Sequence, residues 1–236
     1  MAERASPFAP NEWYHCFNRG VEKRTIFENP KDHERFLMLL YACNSHDSIH
    51  VSNIYQGKTL VDVMATVERK ETLVDIGAYC LMSNHYHLLL REHDPGGITS
   101  FMRRVGTGYA MYFNIKYERS GSLFQGAFKS KRIVSDQNFN RVVSYIHANP
   151  AELIESAWKK GVVRNERRLR SFLSKYRYSS FPDYCSDEIR PESSLINKDA
   201  VLEILETPQS VSQLIEEAKI YAHSEDDKVS TKVRPW

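Results

Sequence analysis

The stretch Leu73–Glu92, LVDIGAYCLMSNHYHLLLRE, decides the fold. It holds two apolar runs, LVDIGAYCLM and HYHLLLRE, separated only by Ser83-Asn84. Runs this short, rich in aliphatic and aromatic residues, read as strands, and a two-residue link predicts a tight antiparallel hairpin. Upstream, WYHCFN (Trp13–Asn18) is a third strand pattern, closed by Arg19-Gly20. Between it and the hairpin lies NPKDHERFLMLLYAC, which predicts a helix. Asn29 is placed to be the N-cap, Pro30 takes the first position, and Asp32 and Glu34 fall in the first turn. Phe36, Leu39, Leu40 and Cys43 supply its apolar stripe.

Downstream, Asp94-Pro95-Gly96-Gly97 reads as a turn. Ile98 to Tyr117 then predicts a long helix with Phe101, Val105, Tyr109 and Tyr112 at helical spacing, broken by Ser120-Gly121. Leu123 to Val134 reads as a strand with a bulge at Gly126, and Asp136 as the cap of a helix over Gln137–Ala148 that stops at Asn149-Pro150. Ser45 to Lys70 is irregular, with an extra strand over Leu60–Val67. The order β-α-β-β-α-β-helix predicts an α+β fold: a ferredoxin-like, or RRM-like, antiparallel sheet with helices on one face. A mostly helical C-terminal appendage follows, with one helical stretch from Ser210 to Ala222. The expected organisation is a domain over 1–155, a basic extension over 156–182 and an acidic appendage over 183–236.

With 236 residues, 42% hydrophobic and 26% charged, the composition excludes collagen-like, low-complexity and wholly disordered classes. No apolar run approaches the roughly 18 residues that span a bilayer, so no membrane partner is expected. The opening MAERASPFAPNEW lacks the apolar core of a secretory signal. Four scattered cysteines with no CxxC pair argue against a disulfide scaffold or zinc knuckle and fit a cytoplasmic protein. The net charge of +2 hides an asymmetry: Asp183–Asp227 holds twelve acidic residues against three basic, whereas Glu155–Tyr178 holds eight basic against two acidic. The basic stretch, WKKGVVRNERRLRSFLSKYRY, reads either as a solvated helix face or as a phosphate-contacting surface interleaved with aromatics.

Two short constellations carry chemistry. His85 and His87 are two apart on a strand, so both imidazoles share a face. That suits chelation of one metal ion, and equally two hydrogen-bonded histidines on a half-buried strand. Tyr145 and Asn149 are four apart on the last predicted helix and share a face with Arg141, one turn earlier. The opposite stripe, Phe139, Val142, Val143 and Ile146, can pack on the sheet. Tyr145 can also be read as a boundary aromatic, and Asn149 as the residue that ends a helix before proline.

Together these pieces resemble the single-tyrosine HUH transposases, the IS200-like Y1 superfamily, and within it the branch of REP-associated tyrosine transposases. The matching stretches are FNRGVEKRTIF, AYCLMSNHYHLLLRE, SGSLFQGAFKSKRIVSD and VVSYIHANPAEL, in the family's order over roughly residues 13–155. The family motif is His, a bulky apolar residue, then His, here His85, Tyr86 and His87. Its nucleophilic tyrosine falls at Tyr145, and its polar metal ligand four residues later falls at Asn149. Asn rather than Gln there points to the palindrome-associated branch.

The resemblance implies that His85, His87 and the Asn149 amide oxygen hold one divalent ion, Mg²⁺ or Mn²⁺. Tyr145 would attack a phosphate of single-stranded or hairpin DNA, leaving a 5′-phosphotyrosine and a free 3′-OH. Arg19, Arg103, Arg104, Lys129, Lys131, Arg132, Arg141, Lys159, Lys160, Arg164, Arg167, Arg168 and Arg170 are the candidate DNA contacts. Relatives suggest a monomer or a homodimer. Two other readings stand beside this one: a non-catalytic hairpin-DNA-binding protein of the same fold, and an unrelated metal-dependent hydrolase.

Overall fold

The computed structural model of the chain describes residues 8–47, 58–69, 71–205 and 210–230. Strands β1 (Trp13–Arg19), β2 (Val74–Met82), β3 (His85–Glu92) and β4 (Lys129–Arg132) form one antiparallel sheet in the order β2-β3-β1-β4. This is the ferredoxin-like order, with β3 and β1 in the middle. Between the strands lie α1 (Pro30–Ala42), α2 (Leu60–Thr66) and α3 (Gly97–Lys116). After β4 come α4 (Asp136–Ala148), α5 (Glu166–Leu173), α6 (Phe181–Cys185), α7 (Lys198–Leu202) and α8 (Val211–Ser230). Among the described residues no helix is long and apolar enough to cross a membrane.

Helix α1 starts where its caps dictate. The Asn29 side chain accepts from the Lys31 N–H, and the Asp32 carboxylate accepts from the Asn29 N–H, so orphan donors of the first turn are satisfied. Phe36, Leu40, Phe101, Val105 and Tyr109 from α1 and α3 bury completely against Cys16, Leu88 and Leu90 of the sheet. That is the helical face the order of elements predicts. The opposite face is covered too: Phe139, Val142, Val143 and Ile146 of α4 pack on Trp13, Ala78, Cys80, Met82 and Leu89, together with Tyr221 of α8.

A bulge at Gly77 makes the second face possible. Strand β2 pairs Ile76 with Leu90 but Ala78 with Leu89, so one residue is skipped. The slip changes which residues face which way. Val74, Ile76, Tyr79 and Leu81 therefore join the first core, and Ala78, Cys80 and Met82 the second. A Cβ at Gly77 would come within 2.8 to 2.9 Å of the Trp13, Val201 and Leu89 side chains, so any larger residue would force them to shift.

Three local expectations are corrected. Leu60–Thr66 is a helix rather than a strand, because Thr59 and Asp62 form a reciprocal capping box that satisfies its first turn. The rest of that irregular region, 48–57 and residue 70, lies outside the described residues. The fourth strand covers only Lys129–Arg132; Gly126 takes φ of +88°, and Phe124 makes a single bridge to Gly20. The cap of α4 is Ser135, whose side chain accepts from the Asn138 N–H, while Asp136 sits in the first turn.

The segment after α5 closes the open edge of β2. The Leu81 N–H donates to the Tyr178 carbonyl at 2.9 Å, Ser180 donates to Tyr79 at 3.0 Å and Asn197 donates to Ile76 at 2.9 Å. An edge paired this way presents fewer free backbone groups to another chain. Helix α8 then returns across α4, burying Leu214, Ile215, Ala218, Tyr221 and Ala222.

Candidate active site

Central strand β3 turns Tyr86, Leu88 and Leu90 toward the first core and His85 and His87 toward α4. The Asn84 side chain fixes the state of His85. Its Nδ2 donates to the Lys23 carbonyl at 3.0 Å, which directs its Oδ1 at His85 Nδ1, 2.6 Å away. His85 must donate there, so its neutral ring carries the lone pair on Nε2. His87 is buried and its Nε2 has no hydrogen-bond partner. The two rings lie 5.1 Å apart, centroid to centroid.

Helix α4 delivers the other two groups. The Tyr145 ring is half-buried, 5.3 Å from the His87 ring. Asn149, the C-cap of α4, is wholly buried; its Nδ2 donates to the Tyr145 carbonyl at 2.7 Å, and its Oδ1 meets no donor in hydrogen-bond geometry, although the amide lies close enough to His85 to oppose the lowering of its pKa. Buried polar atoms without partners are rare and costly. Here two of them, His87 Nε2 and Asn149 Oδ1, occur in one site beside the Nε2 lone pair of His85. All three are atoms of kinds that can ligate a divalent cation. Among the described residues no group of three or more His, Cys, Asp or Glu could hold a metal ion.

The electrostatics favour neutral imidazoles and anionic ligands. Burial pushes His85 down to about 4, with the Arg19 and Lys159 cations acting the same way and Glu152 and the Asn149 amide opposing. Burial also holds His87 well below its ordinary value, helped by His15, His85, Lys159 and Arg19. Arg19 is the cross-strand partner of His85, and its Nε is buried without a hydrogen-bond partner.

The candidate DNA contacts divide sharply. Lys129 and Lys131 are the cross-strand partners of Phe17 and His15, and so share the face of the histidines. Lys159 pairs with Glu152 at 3.0 Å, and Lys160, Arg164, Arg167, Arg168 and Arg170 are exposed beyond it. Arg132 pairs with Glu12 at 2.7 Å, and Arg141 with Glu217 of α8 at 3.2 Å. The structure does not bring Arg103 and Arg104 to the site: α3 covers the opposite face of the sheet, and Arg104 donates to the Ser45 carbonyl at 2.6 Å.

Two residues of the site escaped the sequence reading. His15 on β1 lies with its Nε2 2.8 Å from His87 Nδ1, and its Nδ1 is 2.9 Å from the Tyr221 hydroxyl. The Tyr221 ring also lies 5.1 Å from the Tyr145 ring. A histidine in a buried aromatic strand was the available signal for the first; Tyr221 gave none.

Comparison with known proteins follows the same lines. The family model described as Transposase IS200 like matches residues 11–149, which include His15, His85, His87, Tyr145 and Asn149 but not Tyr221. No curated protein matches the chain. A solved structure described as a REP-associated tyrosine transposase bound to a REP hairpin is similar at 17% identity and a TM-score of 0.47, covering 81% of this chain and 90% of that one.

Proposed function

We propose, from the premise that this chain belongs to the IS200-like transposase family, that it cuts and rejoins single-stranded DNA at a hairpin or palindrome. Tyr145 is the nucleophile, and His85, His87 and Asn149 hold a divalent ion, Mg²⁺ or Mn²⁺. The observation that carries this reading is the convergence of unpartnered ligand atoms, His87 Nε2 and Asn149 Oδ1, beside the Tyr145 ring.

The chemistry needs little else. When bound, the ion supplies polarisation of the scissile phosphate and offsets charge growing in the transition state. Arg19 and Lys159 add positive potential on the same side, which favours an approaching phosphodiester. Tyr145 loses its phenolic proton, its oxygen bonds to phosphorus, and the bond to the 3′ oxygen breaks. The products are a 5′-phosphotyrosine and a strand end that takes up a proton as 3′-OH. One phosphodiester replaces another, so the reverse attack rejoins strands without a nucleotide cofactor. The half-buried position of Tyr145 leaves part of the ring accessible to a strand, while α4 keeps its backbone rigid.

Labelled hairpin oligonucleotide with a single-stranded flank, incubated with the protein in Mn²⁺ and run on a denaturing gel, tests this. A protein-linked band, absent in EDTA and mapped by mass spectrometry to the Tyr145 peptide, is the expected result. A shifted but uncut probe would instead support a binding module, and cleavage without adduct a hydrolase of another class.

A further inference from the structure

We infer that His15 and Tyr221 are positioning residues that set the ring tautomer of His87, so that the C-terminal helix completes the ion site from outside the stretch shared with the family. The inference rests on the proposed metal site and adds two residues that it did not contain. The chain of contacts is short: His87 Nδ1 to His15 Nε2 at 2.8 Å, then His15 Nδ1 to Tyr221 Oη at 2.9 Å.

Hydrogen counting leaves two arrangements. A neutral imidazole has one N–H and one lone pair. In the first arrangement His87 Nδ1–H donates to His15, and His15 Nδ1–H donates to the Tyr221 oxygen; His87 Nε2 then presents a lone pair. In the second the Tyr221 hydroxyl donates to His15, and His15 Nε2–H donates to His87; His87 Nε2 then carries a hydrogen. His87 Nε2 is buried and has no hydrogen-bond acceptor. The second arrangement would therefore bury an unpaired N–H at a position where the first presents a lone pair. The first leaves the buried Tyr221 hydroxyl hydrogen outside this chain of contacts, so each arrangement has one donor to place; the first is assigned because it is the one that can ligate a cation. His85 reaches the same tautomer by another route, through Asn84. Both imidazoles thus present Nε2, each fixed by a partner behind it, as outer partners of ligating histidines commonly do.

Helix α8 is held firmly enough for this role. Leu214, Ile215 and Ala218 are buried against the core beside α4, and Glu217 pairs with Arg141 at 3.2 Å. The Tyr221 ring contacts Tyr145 as well as His15, so one side chain touches both the nucleophile and the partner of a ligand. Removing its hydroxyl leaves the His15 Nδ1–H without an acceptor and frees His15, and with it His87, to switch.

Two measurements on the full-length chain decide the matter. Long-range ¹H–¹⁵N correlation of the metal-free protein reads the tautomer directly: His87 should show a protonated Nδ1 and an unprotonated Nε2. The reverse pattern overturns the inference, and this reading needs no variant to fold. Second, Mn²⁺ is titrated by EPR against the wild type, Tyr221→Phe, His15→Phe, His15→Gln and His87→Ala, each checked for cooperative unfolding. Loss of an outer partner typically weakens metal affinity about 10- to 100-fold. His15→Phe should fall in that range, Tyr221→Phe should lose several-fold, and His15→Gln, whose Oε1 can still accept from His87, should recover most of the loss. If His87→Ala binds Mn²⁺ like the wild type, the metal site itself is misplaced. If His87→Ala fails to bind while His15→Phe and Tyr221→Phe bind normally, the metal site stands and this inference alone falls.

Discussion

The two faces of one sheet use tyrosine in opposite ways. Toward α1 and α3, Tyr109 is fully buried with its hydroxyl donating to the Ile26 carbonyl, and Tyr112 donates to Asp32 at 2.9 Å. Asp32 also accepts from Lys116 at 2.6 Å and Tyr117 at 2.7 Å. Each of these phenols is committed to holding the fold. Toward α4 and α8, Tyr145 lies among His15, His87, Tyr221 and Trp158, where ligand atoms of His87 and Asn149 remain unpartnered. Strand β3 serves both faces through alternation alone: Tyr86 and Leu88 one way, His85 and His87 the other.

Exchanging the tyrosines is the strongest way to break this comparison. Tyr145→Phe should abolish the covalent DNA adduct, since it removes the hydroxyl of the ring that lies 5.3 Å from His87. It removes one oxygen and little volume, so stability should change by less than about 1.5 kcal/mol. Tyr109→Phe should do the reverse: adduct formation continues, while the Ile26 carbonyl loses its donor at a cost of about 1–3 kcal/mol. Adduct gels beside urea unfolding of both variants measure the dissociation. An adduct surviving in Tyr145→Phe would mean that the nucleophile lies elsewhere.

Neighbouring residues of β3 sharpen the contrast. Leu88→Ala opens a cavity in the first core and should cost about 2–5 kcal/mol. His85→Ala combined with His87→Ala should abolish nicking while hairpin binding, carried by the basic surface, largely persists. Binding and cleavage assays on the same preparations separate the two effects. Loss of binding in the double histidine variant would show that the pair holds DNA rather than an ion.

Much of this was legible because it is local. The Asn29-Pro30-Asp32 cap, the Ser83-Asn84 hairpin and the apolar stripe of α4 each lie within one element. So do the two chemical pairs, His85 with His87 at strand spacing and Tyr145 with Asn149 at helical spacing. What escaped is non-local. His15 meets His87 through strand pairing across 72 residues, and Tyr221 meets His15 across 206. Periodicity within a segment cannot report either contact. The strand expectation over Leu60–Val67 fails because Val61, Val63 and Val67 carry strand propensity, whereas the Thr59–Asp62 box that overrides it depends on two polar residues. The Gly77 bulge escaped because a glycine inside an apolar run looks like a weak strand residue.

Acid should load the site face most heavily, although burial also lowers His33 on α1. Burial lowers His15 to about 3, His85 to about 4 and His147 to about 3. All three belong to the site face or to the helix that covers it. Each stays neutral in the fold and takes up a proton near 6.5 when unfolded, so the unfolded state binds more protons below that pH. Stability should be complete above pH 6.5 and fall toward pH 4, each group contributing up to about 1.4 kcal/mol per pH unit. His147→Gln, which can keep a polar contact with Ser180, should lower the acid slope by one proton. Urea midpoints measured across that range provide the check; a slope unchanged by the substitution would place the acid sensitivity elsewhere.

The smallest expected effect concerns the basic side chains. Lys129 and Lys131 stand on the histidine face of β4, Lys131 with its ammonium 6.0 Å from the Phe17 ring. Arg103, equally cationic and exposed, stands on α3 at the opposite face. Each phosphate contact to a single strand adds about 0.7 to the slope of log affinity against log salt. Lys129→Ala and Lys131→Ala should therefore each flatten the slope by about that amount for a single-stranded flank, while Arg103→Ala leaves it unchanged. Fluorescence anisotropy over a range of salt concentrations resolves the difference. Equal effects from all three substitutions would mean that DNA wraps both faces, and the division of labour between them would then hold for chemistry alone.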